Sequence, residues 1–305
     1  MKLARILGIA IAVLPLFDGY SFGRPAVKAS GTKPTEIFQG DIVELRIPGM
    51  GLTSVEGRMG KAMVPFFSNG GGDYTAFVGA DLEAKPGLVT VIVKGTTTTE
   101  IQRDSQIGLM IKPKSFKKES FSVGAEFDQL SPGVLERIRK DQNEFTRAFM
   151  TSAPDRLWRG PFVLPVSSEV SSPFGYRRVI NGAPRAPHTG VDLRAALGSE
   201  VVAANHGRVV LLGDFFFSGN SLVLDHGAGL YTMYFHLSGF KVEMGAAVRK
   251  GDVIGLSGMT GRVTGPHLHW GARINGARVD PFELVNKLGN SQSRLETDPT
   301  VDGAK

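Results

Sequence analysis

Five residues in the second half of this 305-residue chain pair metal-binding or proton-transfer chemistry with spacings that would bring them together. His267 and His269 stand two apart in GPHLHW, residues 265–270. In an extended strand, residues i and i+2 point to one face, with their Cα atoms about 6–7 Å apart. A zinc–nitrogen bond is about 2.0–2.1 Å long, so one imidazole can hold a metal while the other faces a water or a substrate. The pair then divides into a ligand and an acid/base group, and the spacing alone does not say which is which.

His188 and Asp192 lie in PHTGVDL, residues 187–193. An extended segment puts both side chains on one face. A helix would do the same, but Gly190 and Val191 disfavour one. A histidine, a carboxylate and a second histidine make a three-ligand zinc set whose open fourth position takes water, the mark of a catalytic site. His236 ends an expected strand in YTMYFHLS, residues 231–238, and is the fifth polar group of the set. Each motif is weak alone; they carry weight because they occur together. His206 in ANHGR and His226 in LDHGAG precede glycine, and read as turn residues bonded to the backbone.

The chain has no cysteine. Disulfides, thiolate metal sites and a cysteine nucleophile are therefore excluded, and any metal site draws on His, Asp or Glu. There is no H-E-x-x-H helix, so a glutamate base of the thermolysin type is absent. The net charge of +6 favours anionic polymers such as nucleic acid, an acidic cell wall or a membrane surface. No long Lys/Arg block or aromatic-basic module accompanies it, and no nucleic-acid partner is expected.

The elements that must position these residues can be outlined. Residues 1–23 open with Lys2 and Arg5 followed by an apolar run over 6–17, as in a secretory signal; an uncleaved membrane anchor through residues 6–17 is the alternative. The run is short for a spanning helix. Export is expected in either case. After a linker at 24–34, alternation in DIVELRI (41–47), KAMVPFF (61–67), DYTAFVGA (73–80) and LVTVIVKG (88–95), separated by Gly/Pro turns, predicts a small β-sandwich over 33–113. It holds no histidine, and reads as a spacer or binding module. SPGVLERIRKDQNEFTRAFM (131–150) predicts an amphipathic linking helix within 130–152, capped by Ser131, with Val134, Leu135, Ile138, Phe145 and Phe149 facing a core. Strand-like stretches at 200–214, 220–237, 246–258 and 265–276 follow, and all six histidines lie in this half. The three consecutive Phe in LLGDFFFSG (211–219) either line a groove or pack the core. Residues 288–305 read as a disordered tail.

The order FGYRR, PHTGVDL, GNSLVLDHGAGLYTMYFHLS, GDVIGLSGMTGRVTGPHLHW resembles the lysostaphin-type, or LytM-type, zinc metallopeptidases, which cut peptide cross-links in bacterial cell walls. The resemblance covers roughly residues 165–285. It implies a mainly β chain whose C-terminal domain, 160–287, is an antiparallel β-sheet with a groove over the metal. It implies one zinc per chain held by His188, Asp192 and His269, with His267 and His236 as the non-ligand catalytic histidines and Asn220 near the substrate groove. Asn220 could equally form the turn before its strand. Peptidoglycan is the implied partner, and the periplasm or cell envelope the implied location. The front half also resembles the front halves of envelope-located Gram-negative relatives, which points to diaminopimelate-type cross-links. Some family members place a tyrosine shortly before the first zinc histidine; INGAPRA (180–186) has none, and Tyr176 is not assigned that role. Two other functions share the fold: a non-catalytic activator of other wall hydrolases, which typically lacks ligands that this chain keeps, and a zinc amidase cutting between sugar and stem peptide.

Overall fold

The computed structural model describes residues 9–11, 33–49, 51–68, 72–99, 101–124 and 130–288, with side chains at all of these except 9–11, 102 and 103. Of the expected signal or anchor segment, Ile9–Ile11 is described, as a short strand parallel to Ile42–Ile47. The rest of that segment, and residues 289–305 of the expected tail, lie outside the described residues. Leu288 does not belong to a tail: it is buried at the end of the wide helical turn Leu284–Leu288. No helix among the described residues is long and apolar enough to cross a membrane.

The front of the chain forms two sheets around one apolar core. One sheet runs Thr35–Phe38, Gln102–Lys112, Gly87–Thr97, Leu52–Met59, Ala62–Pro65; the other runs Ile9–Ile11, Ile42–Ile47, Tyr74–Gly79, Phe67–Ser68. Alternation decides which side chains enter. Val91 and Val93 are buried between the sheets while Ile92 is 45% exposed. The expected strand at 61–67 is broken: Ala62–Pro65 belongs to one sheet and Phe67–Ser68 to the other, so the chain changes sheets at Phe66.

Ile42–Ile47 and Tyr74–Gly79 are covered on both faces. Val43, Leu45, Ala76 and Val78 fill the front core; Ile42 and Phe77 face the other way and join the core of the C-terminal half. At Gly79 a Cβ would lie 2.6 Å from Ile274 Cγ2, so the close approach of the two halves needs glycine there. Arg278 closes the contact by pairing with both carboxylate oxygens of Asp81.

The helix Pro132–Ala148 begins where the cap predicts, with Ser131 Oγ accepting the Val134 N–H at 3.4 Å. Phe145, Ala148 and Phe149 pack on the C-terminal sheet with Leu211, Phe215, Val223, Tyr231 and Met233. Leu135, expected on that stripe, is 53% exposed and takes no part in that cluster.

The main path of the C-terminal sheet is antiparallel, in the order Val170–Ser172, Gly190–Arg194, His267–Ile274, Leu230–Phe240, Gly219–Asp225, Gly207–Phe215, Ala247–Val248. Three of the four stretches expected from the sequence are broken by a turn; 200–214, for example, is Glu200–Val202 followed by Gly207–Phe215, whereas 265–276 holds the single strand His267–Ile274. One face buries Leu193, Leu222, Leu224, Tyr234, Leu268 and Trp270. The opposite face carries the helix over part of its width and a polar cluster over another.

Candidate metal centre

The cluster follows from strand register. Asp192, His269 and Phe235 lie in one row across three neighbouring strands, Asp192 opposite His269 and His269 opposite Phe235. Their side chains share the face opposite Leu193, Leu268 and Tyr234, which are in the core. His188 arrives from the segment just before Gly190–Arg194, where its N–H donates to Tyr176 O and its carbonyl accepts from Gly175 N. At Gly190 a Cβ would lie 2.6 Å from His269 Nε2, so the glycine of PHTGVDL makes room for that imidazole.

Three atoms converge: His188 Nε2 to Asp192 Oδ1 is 3.0 Å, His188 Nε2 to His269 Nδ1 is 3.0 Å, and His269 Nδ1 to Asp192 Oδ1 is 2.8 Å. All three residues are buried, and among the described residues they form a group able to hold a metal ion. His188 Nδ1 lies 3.0 Å from the Pro173 carbonyl oxygen, which only accepts, so Nδ1 carries the proton and the Nε2 lone pair faces the cluster. Burial pushes the Asp192 carboxyl up, but the two histidines beside it outweigh this and hold it well below the usual carboxylate range. Burial also holds His269 down at about 4, neutral at pH 7. With its Nδ1 proton held by Pro173, the His188 Nε2 lone pair faces Asp192 Oδ1 at 3.0 Å, a contact that a shared cation would make favourable. A tetrahedral zinc with bonds of about 2.0–2.1 Å spaces its ligand atoms ~3.3 Å apart. The trio fits such an ion after opening by a few tenths of an ångström, and its nitrogen and oxygen donors suit zinc.

His267 shares the face of His269, with Nε2 3.8 Å from Asp192 Oδ1, beyond the inner trio. His236 reaches the same face by a backbone irregularity. Strict alternation would send it to the Tyr234 side. The pairing of Leu230–Phe240 with Gly219–Asp225 slips between Asn220 and Leu222, so that Phe235 and His236 together oppose one residue. His236 takes a left-handed φ of 63° at this bulge. Leu237 thereby returns to the core while His236 stays beside Phe235. The His236 and His267 rings lie 4.9 Å apart. Each anchors Nδ1–H on a backbone carbonyl, His236 on Thr260 at 2.8 Å and His267 on Gly265 at 2.9 Å, leaving Nε2 as the lone-pair nitrogen. Burial lowers the His236 pKa to about 3 and keeps that ring neutral.

Asn220 stands at the edge of this bulge, and its backbone N–H donates to Thr260 Oγ1 at 2.9 Å. Thr260 Oγ1 in turn donates to Leu237 O at 2.8 Å, so Thr260 ties together the strand ends that carry His236. His226 is a buried structural residue: Nδ1 donates to His206 O and Nε2 accepts from Thr232 Oγ1, both at 2.7 Å. His206 sits in the turn beside it, with Nδ1 3.2 Å from Asn205 Oδ1. The three Phe divide. Phe215 is buried against helix residue Phe145, with ring centroids 4.8 Å apart, whereas Phe216 and Phe217 are half-buried on the turn whose Ser218 carbonyl accepts the His236 N–H.

Other supporting residues carry no sequence signal tying them to the motifs. Phe235 stacks on the His269 ring, with centroids 5.2 Å apart and planes 5° apart, and its far side meets Phe145 at 5.6 Å. Arg178 donates to Asp192 Oδ2 at 3.2 Å, the oxygen not facing the trio. Ser172 Oγ lies 3.1 Å from His188 Nδ1.

Residues 186–281 match the model of peptidase family M23. The DD-carboxypeptidase/endopeptidase Mpg of Neisseria meningitidis is 45% identical over 120 residues, 39% of this chain and 28% of that protein. The peptidoglycan DD-endopeptidase ShyA of Vibrio cholerae is 35% identical over 158 residues, 52% of this chain and 34% of that protein. The chain thus spans well under half the length of either relative. A crystal structure of a candidate peptidase M23 from Pseudomonas aeruginosa superposes with a TM-score of 0.65 at 29% identity, covering 83% of this chain and 96% of that one. That coverage extends the shared fold to the front half.

Proposed function

Residues 186–281 belong to peptidase family M23, and on that premise we propose that the chain is a zinc metalloendopeptidase that hydrolyses peptide cross-links of peptidoglycan. The observation that carries this reading is the trio His188 Nε2, Asp192 Oδ1 and His269 Nδ1 with two histidines beside it whose Nε2 atoms are lone-pair bearing. The relatives named as peptidoglycan DD-endopeptidases support the substrate class. A chain acting on peptidoglycan would work outside the cytoplasm, and the periplasm or cell envelope is the location this reading assigns it.

In this reading His188, Asp192 and His269 hold one zinc. When bound, zinc supplies Lewis acidity, polarising the scissile carbonyl and lowering the pKa of the attacking water. The protein residues handle the protons. His236 and His267 each turn Nε2 toward the site, with Nδ1 anchored on a backbone carbonyl. One accepts the proton of the attacking water; as an imidazolium it then becomes an N–H donor. That proton stabilises the developing oxyanion or passes to the departing amine, so that a peptide bond is exchanged for an acid and an amine. Phe235 and Gly190 keep the His269 ring in its plane, and Asn220 is assigned to the substrate-binding surface beside His236.

Digestion of purified peptidoglycan, with the new chain ends identified by mass spectrometry, tests the proposal. New ends between stem peptides are expected. Free lactyl sugars would instead identify an amidase, and an intact wall a non-catalytic activator.

A further inference from the structure

Two of the three candidate ligands are held through one residue that lies far outside the matched region. The strand Lys118–Phe121 comes after the front sheets and before the helix, yet it adds in parallel to Arg177–Ile180, with Glu119 in register with Arg178. It is clipped at both ends: Arg177 N–H donates to Lys117 O at 2.8 Å, and Asn181 N–H to Phe121 O at 3.2 Å. The Glu119 carboxylate divides between two partners. Oε1 accepts from Arg178 Nε at 2.8 Å, and Oε2 accepts from Ser172 Oγ at 2.9 Å.

Each arm ends on a different ligand. Arg178 Nη2 reaches Asp192 Oδ2 and occupies it, leaving Oδ1 to face the trio as a single donor. Ser172 gives its hydroxyl proton to Glu119, so its oxygen is free to accept from His188 Nδ1 together with the Pro173 carbonyl. That fixes the His188 proton on Nδ1 and aims the Nε2 lone pair inward. Charge works in the same direction. Without Glu119 the Arg178 charge would rest on Asp192 alone, beside a site that must accept another cation.

We propose that Glu119 is a positioning residue for the metal site, orienting Asp192 through Arg178 and His188 through Ser172. The segment preceding the helix thereby completes the metal site, and the front half of the chain is more than a spacer. The proposal rests on the metallopeptidase reading, but its test does not require peptidase activity.

The test uses the full chain and its Glu119→Gln, Glu119→Ala and Lys118→Ala variants. Lys118 lies on the same strand with an exposed side chain, and serves as the control. Zinc affinity is measured by competition with a chromophoric chelator, alongside the melting temperature of the metal-free proteins. The visible spectrum of the cobalt-substituted forms reports ligand geometry. Groups that orient metal ligands typically contribute about 10–100-fold in affinity. Both Glu119 variants should weaken zinc by about that factor and shift the cobalt spectrum, while Lys118→Ala does neither. Gln is isosteric, so its metal-free melting temperature should stay near wild type. Adding Ser172→Ala to Glu119→Gln should weaken zinc by less than the sum of the separate effects, because the two share one path. Glu119 variants that bind zinc as wild type, whatever their melting temperatures, overturn the proposal. A wild-type chain that binds no zinc overturns the metal reading itself.

Discussion

Asp192 and His269 face each other directly across the antiparallel pair Gly190–Arg194 and His267–Ile274, with Oδ1 and Nδ1 2.8 Å apart. The next pair along, Leu193 and Leu268, is fully buried on the opposite face. A one-residue slip of either strand would turn its leucine out and its polar group in. Burial of each leucine is worth about 1.5–3 kcal/mol, so the core enforces the register that assembles the site.

The ligand assignment is tested by removal. His188→Ala, Asp192→Ala and His269→Ala should each reduce bound zinc from one per chain to a small fraction at micromolar metal, by elemental analysis of purified protein. The effect of Asp192→Ala should be compounded by the loss of the Arg178 contact. Full zinc occupancy in His269→Ala would make His267 the ligand.

His236→Ala and His267→Ala should separate chemistry from binding. Neither residue belongs to the inner trio, so both variants should retain zinc. A positioned acid/base group contributes about 10²–10⁴-fold in rate, and the wall-cleavage rate should fall by that factor. Zinc-loaded His267→Ala working near the wild-type rate would contradict the mechanism.

Phe235 lies between helix residue Phe145 and the His269 ring. Phe235→Ala should cost about 2 kcal/mol, less than the 3–5 of a fully buried Phe because the ring is half-buried. It should also weaken zinc severalfold, since the ring that supports His269 is gone. Phe215→Ala, on the far side of Phe145, should destabilise the fold with zinc affinity unchanged. Urea unfolding and zinc competition on both variants distinguish the two.

His226 gives the metal-free protein a pH dependence independent of the site. Burial lowers its folded pKa to about 4 from 6.5. Between these values the unfolded chain binds more protons, so the contribution is full above pH 6.5 and is lost as the pH falls toward 4. From pH 7 to pH 5 it amounts to about 2 kcal/mol. The fall in unfolding free energy over that interval should be smaller by about this amount in His226→Gln than in wild type. Equal falls in the two proteins would show that His226 is not buried in its neutral form.

Motif spacing, cap chemistry and alternation depend on neighbours within a few residues, and to that extent the sequence alone was sufficient. His267-x-His269 on one strand face, the helix start at Ser131 and the inward Val91 and Val93 are all properties of local backbone period. Which His of the pair joins Asp192 was not local, and from the residues themselves it stayed open. It is decided by the register between two strands some 75 residues apart in the chain, which the burial of Leu193 and Leu268 enforces. His236 looked like an ordinary strand end, and only the bulge against Gly219–Asp225, with its left-handed φ, keeps it on the outer face. Glu119 carried no signal at all. An isolated glutamate on a four-residue strand is indistinguishable from a solvated one until another strand lies beside it and supplies Arg178 and Ser172 as partners. Local periodicity can nominate donors, but their convergence on one point depends on contacts distant in sequence, which the tertiary structure alone decides.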